Sequence, residues 1–382
     1  MKTSVDRILT THVGSLPRGK EVLAFLFAQD NGESYDAAQF EQAMVRGVAD
    51  AVRNQSQAGL DILNDGETSK ISYATYIKHR LNGFEIGNAP RATPQDLDDY
   101  PEFRDKLAAE GATPKYTRPI CRGPISVKTL APLHADIARL KEALGTVRST
   151  EGFMSAVSPG TIAVFQPNEY YPSHATYLEA LAEAMRLEYE TIVQSGLILQ
   201  VDCPDLGMGR HIRFRDVDDA EFLRNAALQV EALNHALANV PADRVRLHIC
   251  WGNYEGPHTR DIPLEKVLPI LFKVKPMGLL IEGANPRHEH EWALFKDHPV
   301  PDDKVLVPGV LDTTTNFVEH PELVAQRIQR YADLVGRERV MAGTDCGFGH
   351  FAGFGAVLPA ICWAKMQSLA EGARLASNKL WR

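Results

Sequence analysis

Short runs of aliphatic and β-branched residues alternate along the chain with longer segments in which apolar residues recur every three or four positions. Eight of the short runs are apolar enough for burial on both faces and are bounded by turn-forming residues. We predict strands at Ile8–Val13, Leu60–Asn64, Ile162–Gln166, Leu197–Val201, Val245–Cys250, Gly278–Ile281, Val305–Val310 and Val340–Gly343. The periodic segments predict helices at Ala37–Ala58, Ala175–Ser195, Asp216–Asn239, Pro321–Leu334 and Ala356–Ala376.

This alternation predicts an α/β protein with a parallel sheet, and eight such strands are typical of a (β/α)8 TIM barrel. We expect one barrel domain over residues 1–382. A polar insertion rich in Pro, Asp and Gly interrupts the pattern near residues 85–117. It is interpreted either as a surface excursion or as a substrate lid. The apolar stretch Pro119–Ser126 is expected to belong to this insertion rather than to the barrel wall.

Charge and composition narrow the class of partner. The chain carries 41 Lys and Arg against 49 Asp and Glu, a net charge of −8, which disfavours nucleic acid and anionic membranes. No run approaches the ~20 apolar residues of a membrane span, and the N-terminus does not resemble a secretory signal. Five cysteines do not form a disulfide framework, so a cytoplasmic location is expected.

Side chains of metal-binding type follow three of the predicted strands where those strands end. His248 and Cys250 lie two positions apart at one strand end, so they point to the same side. Glu282 follows the next strand, and Cys346 follows the last one. Because active sites of (β/α)8 barrels lie at the C-terminal ends of the strands, we expect these four residues to converge.

Two thiolates, an imidazole and a carboxylate form a tetrahedral donor set that suits zinc. Such a site lowers the pKa of an incoming thiol while its anionic ligands keep the bound sulfur nucleophilic. A His-x-Cys pair alone is weak evidence, because buried cysteines are common in protein cores. Cys121, Cys203 and Cys362 are expected to be core cysteines of that kind.

The chain resembles the catalytic half of cobalamin-independent methionine synthases and their short relatives. The motifs that carry the resemblance occur in the order of the family and span nearly the whole chain. They are Thr10-Thr11-His12-Val13-Gly14-Ser15-Leu16-Pro17-Arg18, Asn64-Asp65-Gly66-Glu67, Gln200-Val201-Asp202, His248-Ile249-Cys250, Ile281-Glu282-Gly283 and Gly343-Thr344-Asp345-Cys346-Gly347.

The resemblance implies a (β/α)8 barrel with a catalytic zinc, and it assigns roles to individual positions. The implied zinc ligands are His248, Cys250, Glu282 and Cys346. The implied substrate-binding residues are Gly14 and Ser15 for the amino-acid carboxylate, and Glu67 and Asp202 for its ammonium group. We also consider Arg18 for an anionic substrate group, and His258 as a catalytic proton donor beside Glu67 and Asp202.

Three departures from the family pattern bear on the substrate. The run Thr313-Thr314-Thr315 stands where the family carries a catalytic His, so the expected proton donor is absent. The stretch from Phe165 to Tyr171 lacks the Trp of the folate-contacting motif. The 382 residues also hold one copy of the barrel pattern, where full-length synthases carry a duplicated N-terminal half.

The favoured hypothesis is zinc-dependent transfer of a methyl group to a thiol such as homocysteine. The runner-up is addition of a thiol to an epoxide, as in epoxyalkane:coenzyme M transferases. A metal-free lyase resembling uroporphyrinogen decarboxylase is a third hypothesis. The expected partners are a small-molecule thiol and an alkyl donor, and a homo-oligomer is compatible with the sequence.

Overall fold

A computed structural model describes residues 1–87, 93–109 and 117–382. The strands are Ile62–Leu63 (β1), Leu81–Gly87 (β2), Arg118–Val127 (β3), Glu151–Val157 (β4), Ile198–Asp202 (β5), Val245–His248 (β6), Gly278–Ile281 (β7) and Val305–Pro308 (β8). The α-helices are Lys20–Asn31 (α1), Ala37–Gln57 (α2), Pro101–Ala109 (α3), Ala131–Leu144 (α4), Pro159–Phe165 (α5), His174–Gln194 (α6), Gly209–Ile212 (α7), Asp219–Ala236 (α8), Leu264–Leu271 (α9), Pro321–Val335 (α10) and Pro359–Leu380 (α11). In the part of the chain that is described, no helix combines the length and the apolar character needed to cross a bilayer.

Six strands form a parallel sheet in the order β1-β4-β5-β6-β7-β8. Two extended segments complete the wall between β8 and β1. The segment that contains Val340 and Ala342 is joined to β8 by the bridge between Leu306 and Val340. The N-terminal segment that contains Thr10 is joined to that segment by the bridge between Thr10 and Ala342. The backbone N–H of Ile62 in β1 then donates to the carbonyl of Thr10 at 3.1 Å. The predicted TIM-barrel fold is confirmed, although the first and last wall segments pair too sparsely to be regular strands.

One of the eight predicted strands does not belong to the barrel wall. Ile162–Gln166 is not a strand, because residues Pro159–Phe165 form helix α5. The Ser158 hydroxyl caps this helix by accepting from the Thr161 N–H at 2.9 Å, and a proline occupies its first turn. The third wall strand is instead β4. Its sequence, Glu-Gly-Phe-Met-Ser-Ala-Val, mixes polar and small residues with apolar ones, so it lacks the continuous apolar run of a buried strand.

The barrel interior is packed mainly by aliphatic and aromatic side chains of the wall, including Phe153, Leu280 and Val307. One charged side chain also lies there. Arg246 is fully buried, with its guanidinium 3.7 Å from the centre of the Phe153 ring. It donates to the Gln200 side chain at 2.9 Å and is therefore paired with polar groups, as a buried cation must be. Arg246 and Gln200 each lie two positions before the last residue of their strand, so this polar pair lies just below the C-terminal strand ends.

The insertion forms an ordered cover in its described part. Strands β2 and β3 pair as an antiparallel hairpin, so the expected strand at Pro119–Ser126 is confirmed as part of the insertion. Buried Asp96 accepts hydrogen bonds from the Tyr254 hydroxyl at 2.7 Å and from the His258 backbone N–H at 2.6 Å. These bonds attach residues 93–109, which we call the lid segment, to the loop after β6. Residues 88–92 and 110–116 of the predicted insertion lie outside the described residues.

A buried ion-pair network holds the base of the hairpin. Arg80, directly before β2, pairs with Asp136 of α4 at 2.6 Å and with Glu188 of α6 at 2.9 Å. All three side chains are at most 5% exposed. We predict that Asp136→Ala lowers the free energy of unfolding by about 3 kcal/mol, because it leaves a buried charge undercompensated. Denaturant unfolding followed by circular dichroism measures this loss.

Asp50→Ala is the matched control, since Asp50 pairs with Arg53 on the exposed surface of α2. Its unfolding free energy should stay within about 0.5 kcal/mol of the parent chain. Equal losses in the two variants would contradict the assigned role of the buried network.

Candidate metal and substrate site

Three soft or borderline metal donors meet at the C-terminal end of the barrel. His248 is the last residue of β6, Cys250 follows two positions later, and Cys346 follows the last wall segment. One donor atom from each lies within 4.8 Å of the other two. All three side chains are buried, with 2%, 5% and 8% of their surface exposed. The structure thus brings together three of the four predicted metal ligands.

Hydrogen bonding and charge couple the protonation of these three groups. The Cys346 thiol donates to Cys250, which holds the pKa of Cys250 well below that of a free cysteine. Burial opposes protonation of His248, but the neighbouring Cys250 thiolate raises its pKa above the ordinary value. Apart from the Cys250 sulfur, neither ring nitrogen of buried His248 has a hydrogen-bond partner among the described residues. An imidazole whose only partner is a thiolate, with a second cysteine beside it, is a donor set that suits zinc.

Glu282, the fourth predicted ligand, follows β7 and lies beside this group without belonging to it. Its carboxylate accepts from the Trp251 backbone N–H at 2.8 Å and from the Asn285 side-chain amide at 2.6 Å. Burial raises the pKa of Glu282 to about 8, although the nearby His288 lowers it. The carboxylate thus has two hydrogen-bond donors of its own next to the three metal donors.

Asp345 joins the two loops that carry Glu282 and Cys346, a role the sequence did not reveal. One carboxylate oxygen accepts from the backbone N–H groups of Gly283 and Ala284 at 2.8 and 2.9 Å. The other accepts from the Asn285 backbone at 2.8 Å and from its side chain at 3.0 Å. Because Asp345 directly precedes Cys346, it fixes that sulfur relative to the loop after β7. The motif contains Asp345, but only the folded loops show what it binds.

Two carboxylates line the same cavity as the metal donors. Glu67 has an unusual left-handed φ of 54°, and its side chain accepts from Ser155 at 2.7 Å. Its second oxygen is buried and has no hydrogen-bond partner within the described part of the chain. Burial and the charge of Glu67 raise the pKa of Asp202 to about 7. Lys70 and His248 lie close enough to lower the Asp202 pKa in part, and a further cation would stabilise both carboxylates as anions.

Supporting residues orient this pair. The Gln200 side-chain amide donates to Asp202 at 2.9 Å while its carbonyl accepts from Arg246, so the amide cannot turn over. Gly14 allows the first loop to approach Glu67, because a Cβ at this position would lie 3.0 Å from the Glu67 carboxylate. Ser15 lines the cavity beside it. Ser155 was missed from the sequence because its strand, β4, was missed.

Arg18 and His258 lie outside the cavity wall. The Arg18 guanidinium donates to the backbone carbonyls of Glu67 and Gly349, so it braces the two loops instead of facing a ligand. The His258 ring lies 3.0 Å from the Asp261 carboxylate and 3.0 Å from the carbonyl of Tyr254. The structure therefore does not bring these two predicted site residues to the metal donors.

The cavity above the strand ends has a volume of about 280 Å³. Its floor contains the three metal donors and both carboxylates, and its remaining lining is largely apolar. Leu97, Arg104 and Leu107 of the lid segment form part of the wall. The described part of the insertion therefore lies over the cavity, as the lid interpretation expects. Thr313, where a catalytic His was expected, donates to the Asn253 side chain at 2.8 Å.

Comparison with known proteins points to one family. The model for the catalytic domain of cobalamin-independent synthases matches residues 8–90 and 116–360. A methionine synthase of Saccharolobus solfataricus is 25% identical over 378 residues, covering 98% of this chain and 96% of that protein. One from Sulfolobus acidocaldarius is 25% identical over 350 residues, covering 91% of this chain and 87% of that protein.

Solved structures agree on the fold. A B12-independent methionine synthase from Shewanella sp. W3-18-1, in complex with selenomethionine, superposes with a TM-score of 0.71 at 18% identity. The alignment covers 98% of this chain and 99% of that one. A Listeria monocytogenes protein, described as a putative vitamin-B12 independent methionine synthase, gives 0.66 at 19% identity, covering 100% and 99% of the two chains.

We predict that the chain binds one zinc ion and that each sulfur donor is needed. Cys250→Ser and Cys346→Ser should weaken zinc binding by at least about 100-fold, because each removes a thiolate from the donor set. Cys362→Ser is the control, since Cys362 is buried in α11 away from the site. Elemental analysis after zinc loading and desalting measures the content. Loss of zinc from the Cys362 variant alone would place the metal elsewhere.

Proposed function

The chain belongs to the cobalamin-independent methionine synthase family, and on this premise we propose that it is a zinc-dependent thiol S-methyltransferase that acts on homocysteine or a similar amino-acid thiol. The observation that carries the proposal is that one buried cavity holds both halves of such a site. Its floor has the donors His248, Cys250 and Cys346 on one side and the carboxylates Glu67 and Asp202 on the other.

The metal half activates the thiol. His248, Cys250 and Cys346, with Glu282 as a fourth and exchangeable ligand, would hold zinc, which lowers the pKa of a bound thiol so that it reacts as thiolate. Trp251 and Asn285 offer hydrogen bonds to the Glu282 carboxylate. These bonds would stabilise Glu282 when a substrate sulfur takes its place.

The carboxylate half orients the amino-acid part of the substrate. The unpaired oxygen of Glu67 and the adjacent Asp202 would accept the ammonium group, which in turn neutralises their mutual repulsion. The turn at Gly14 and Ser15 would bind the carboxylate through backbone N–H groups and a hydroxyl. Fixing both charged groups holds the thiol of the side chain toward the metal donors and reduces the entropy cost of the reaction.

The methyl group is then transferred from a donor that enters the apolar part of the cavity, above the metal donors and carboxylates of its floor. Residues of the lid segment line this part of the cavity and would limit the access of water to the thiolate. Arg18 and His258 would act as braces for the loops and the lid and would not contact the reacting atoms. Methyl transfer is favoured over epoxide opening, because epoxide opening forms an alkoxide that needs a proton donor.

The first prediction separates the two halves of the site. Glu67→Gln should weaken binding of homocysteine by about 30-fold or more, because a buried charge pair with the ammonium is lost. It should leave binding of 4-mercaptobutanoate, which is homocysteine without its amino group, within about threefold of the parent value. Calorimetry on the zinc-loaded proteins gives both affinities. An equal loss for both thiols would contradict the ammonium-binding role of Glu67.

The second prediction concerns the donor. A neutral tertiary amine needs protonation as it leaves, and a threonine hydroxyl is not an effective acid near neutral pH. We therefore expect kcat/KM with methyltetrahydrofolate to be at least about 100-fold below that of a donor whose leaving group needs no proton, such as a small sulfonium compound. Methionine formation at fixed homocysteine measures both. Efficient turnover with methyltetrahydrofolate would show that another group supplies the proton.

A further inference from the structure

One part of the cavity wall is aromatic. The rings of Tyr73, Phe165, His350, Phe351 and Phe354 line the cavity, and neighbouring ring centres lie 4.7 to 6.3 Å apart. We call these five residues the aromatic wall. Aromatic faces attract cations, and clustered faces are the usual recognition site for quaternary ammonium groups.

Backbone contacts hold the aromatic wall in place. The Tyr73 N–H donates to the His350 carbonyl at 3.2 Å, and Ser72 forms an antiparallel bridge with Phe351. The same loop is anchored to the first strand end, because the Phe348 N–H donates to the Ser15 carbonyl at 2.8 Å. Burial lowers the pKa of His350 to about 4, so its ring is neutral near pH 7 and adds no positive charge to the wall.

Among the described residues, the polar groups near the metal donors are committed to other partners, since Glu67 and Asp202 bind the substrate ammonium group in the proposed function. The Thr313 hydroxyl is engaged with Asn253, and the Asn253 amide donates to the carbonyl of Gly347 at 2.7 Å. A methyl donor whose leaving group departs as an anion is therefore disfavoured, because that anion needs a proton. A sulfonium or quaternary ammonium donor leaves as a neutral sulfide or amine and needs no proton.

Size and charge narrow the donor further. A cavity of about 280 Å³ lies just below the roughly 300–1,000 Å³ of sites for drug-sized ligands, and the thiol occupies part of it. Arg104 and Arg118 line the same cavity. Arg118 also donates to the Phe165 carbonyl at 3.0 Å and Arg104 pairs with Asp105 at 3.1 Å, so an anionic group on the donor would share these cations with the partners they already have. A compact donor that carries both an onium head and a carboxylate satisfies all of these features.

Building on the proposed function, we propose that the methyl donor is a small onium carboxylate whose cationic head is bound by the aromatic wall. The thiolate sulfur forms the new S–CH3 bond with its lone pair. The bond between the methyl carbon and the onium heteroatom breaks, and its electron pair remains on that heteroatom. The thiolate charge and the onium charge cancel, so the products are a neutral thioether and a neutral sulfide or amine.

The binding test uses the zinc-loaded full chain and two probes of the same shape. Glycine betaine carries a trimethylammonium head, and 3,3-dimethylbutanoate carries a tert-butyl head with carbon in place of nitrogen. Calorimetry in the presence of homocysteine should show betaine binding about tenfold more tightly, because only its head is a cation. Equal affinity for the two probes would overturn the proposal.

Variants assign this preference to the rings. Phe351→Leu should reduce the preference for betaine to less than about threefold, whereas Tyr73→Phe, which keeps a ring, should retain it. Phe317→Leu is the control, since Phe317 is 82% exposed and lies outside the cavity. Retained zinc and homocysteine binding verify that each variant is folded. A full preference in Phe351→Leu would contradict the assignment.

Turnover completes the test. Dimethylsulfonioacetate and homocysteine should yield methionine and (methylthio)acetate in equal amounts. If homocysteine binds to the zinc-loaded protein but neither onium compound binds or reacts, the donor class is wrong and the thiol site stands. If homocysteine itself does not bind, the proposed function fails and the donor class fails with it.

Discussion

The central physical constraint on this structure is the cost of burying several acidic groups next to one another. Two cysteines, Glu67 and Asp202 line one cavity, Glu282 lies beside it, and all five side chains are buried. Carboxylates in such surroundings are unstable as anions unless cations or hydrogen-bond donors compensate them. The raised pKa values of Glu282 and Asp202 record this cost. A divalent metal beside the sulfurs and an ammonium beside the carboxylates would relieve it together.

Much of the surrounding structure holds these groups where they cannot relax apart. Asp345 ties the loop of Cys346 to that of Glu282 through four hydrogen bonds. Arg246, below the strand ends, fixes Gln200 and through it Asp202. Asp96 attaches the lid segment to the loop after β6, so the cover of the cavity is held by the loop that also carries Cys250. Stability and pre-organisation of the site therefore rest on the same contacts.

The strand ends were predictable because their sequence signals are local. Strand β6 alternates the aliphatic residues Val245 and Leu247 with polar ones and ends in chemistry-bearing residues, and the fold places such ends on one face. Strand β4 was not predictable, because Gly152 and Ser155 break the apolar run, and Ser155 was missed with it. The contacts of Asp345, Asp96 and Asn253 join residues that are distant in sequence, so they become visible only in the folded chain. His258 shows the converse, since its position after a strand end suggested the cavity but Asp261 binds its ring.

The central claim is that the buried donors present a metal to the sulfur of an amino-acid thiol. Zinc X-ray absorption of the loaded protein, recorded with and without homocysteine, tests it most directly. We predict two sulfur neighbours at about 2.3 Å from zinc in the free protein and three once homocysteine is bound, with one oxygen or nitrogen neighbour lost. An unchanged count of two sulfurs at saturating homocysteine would contradict the account.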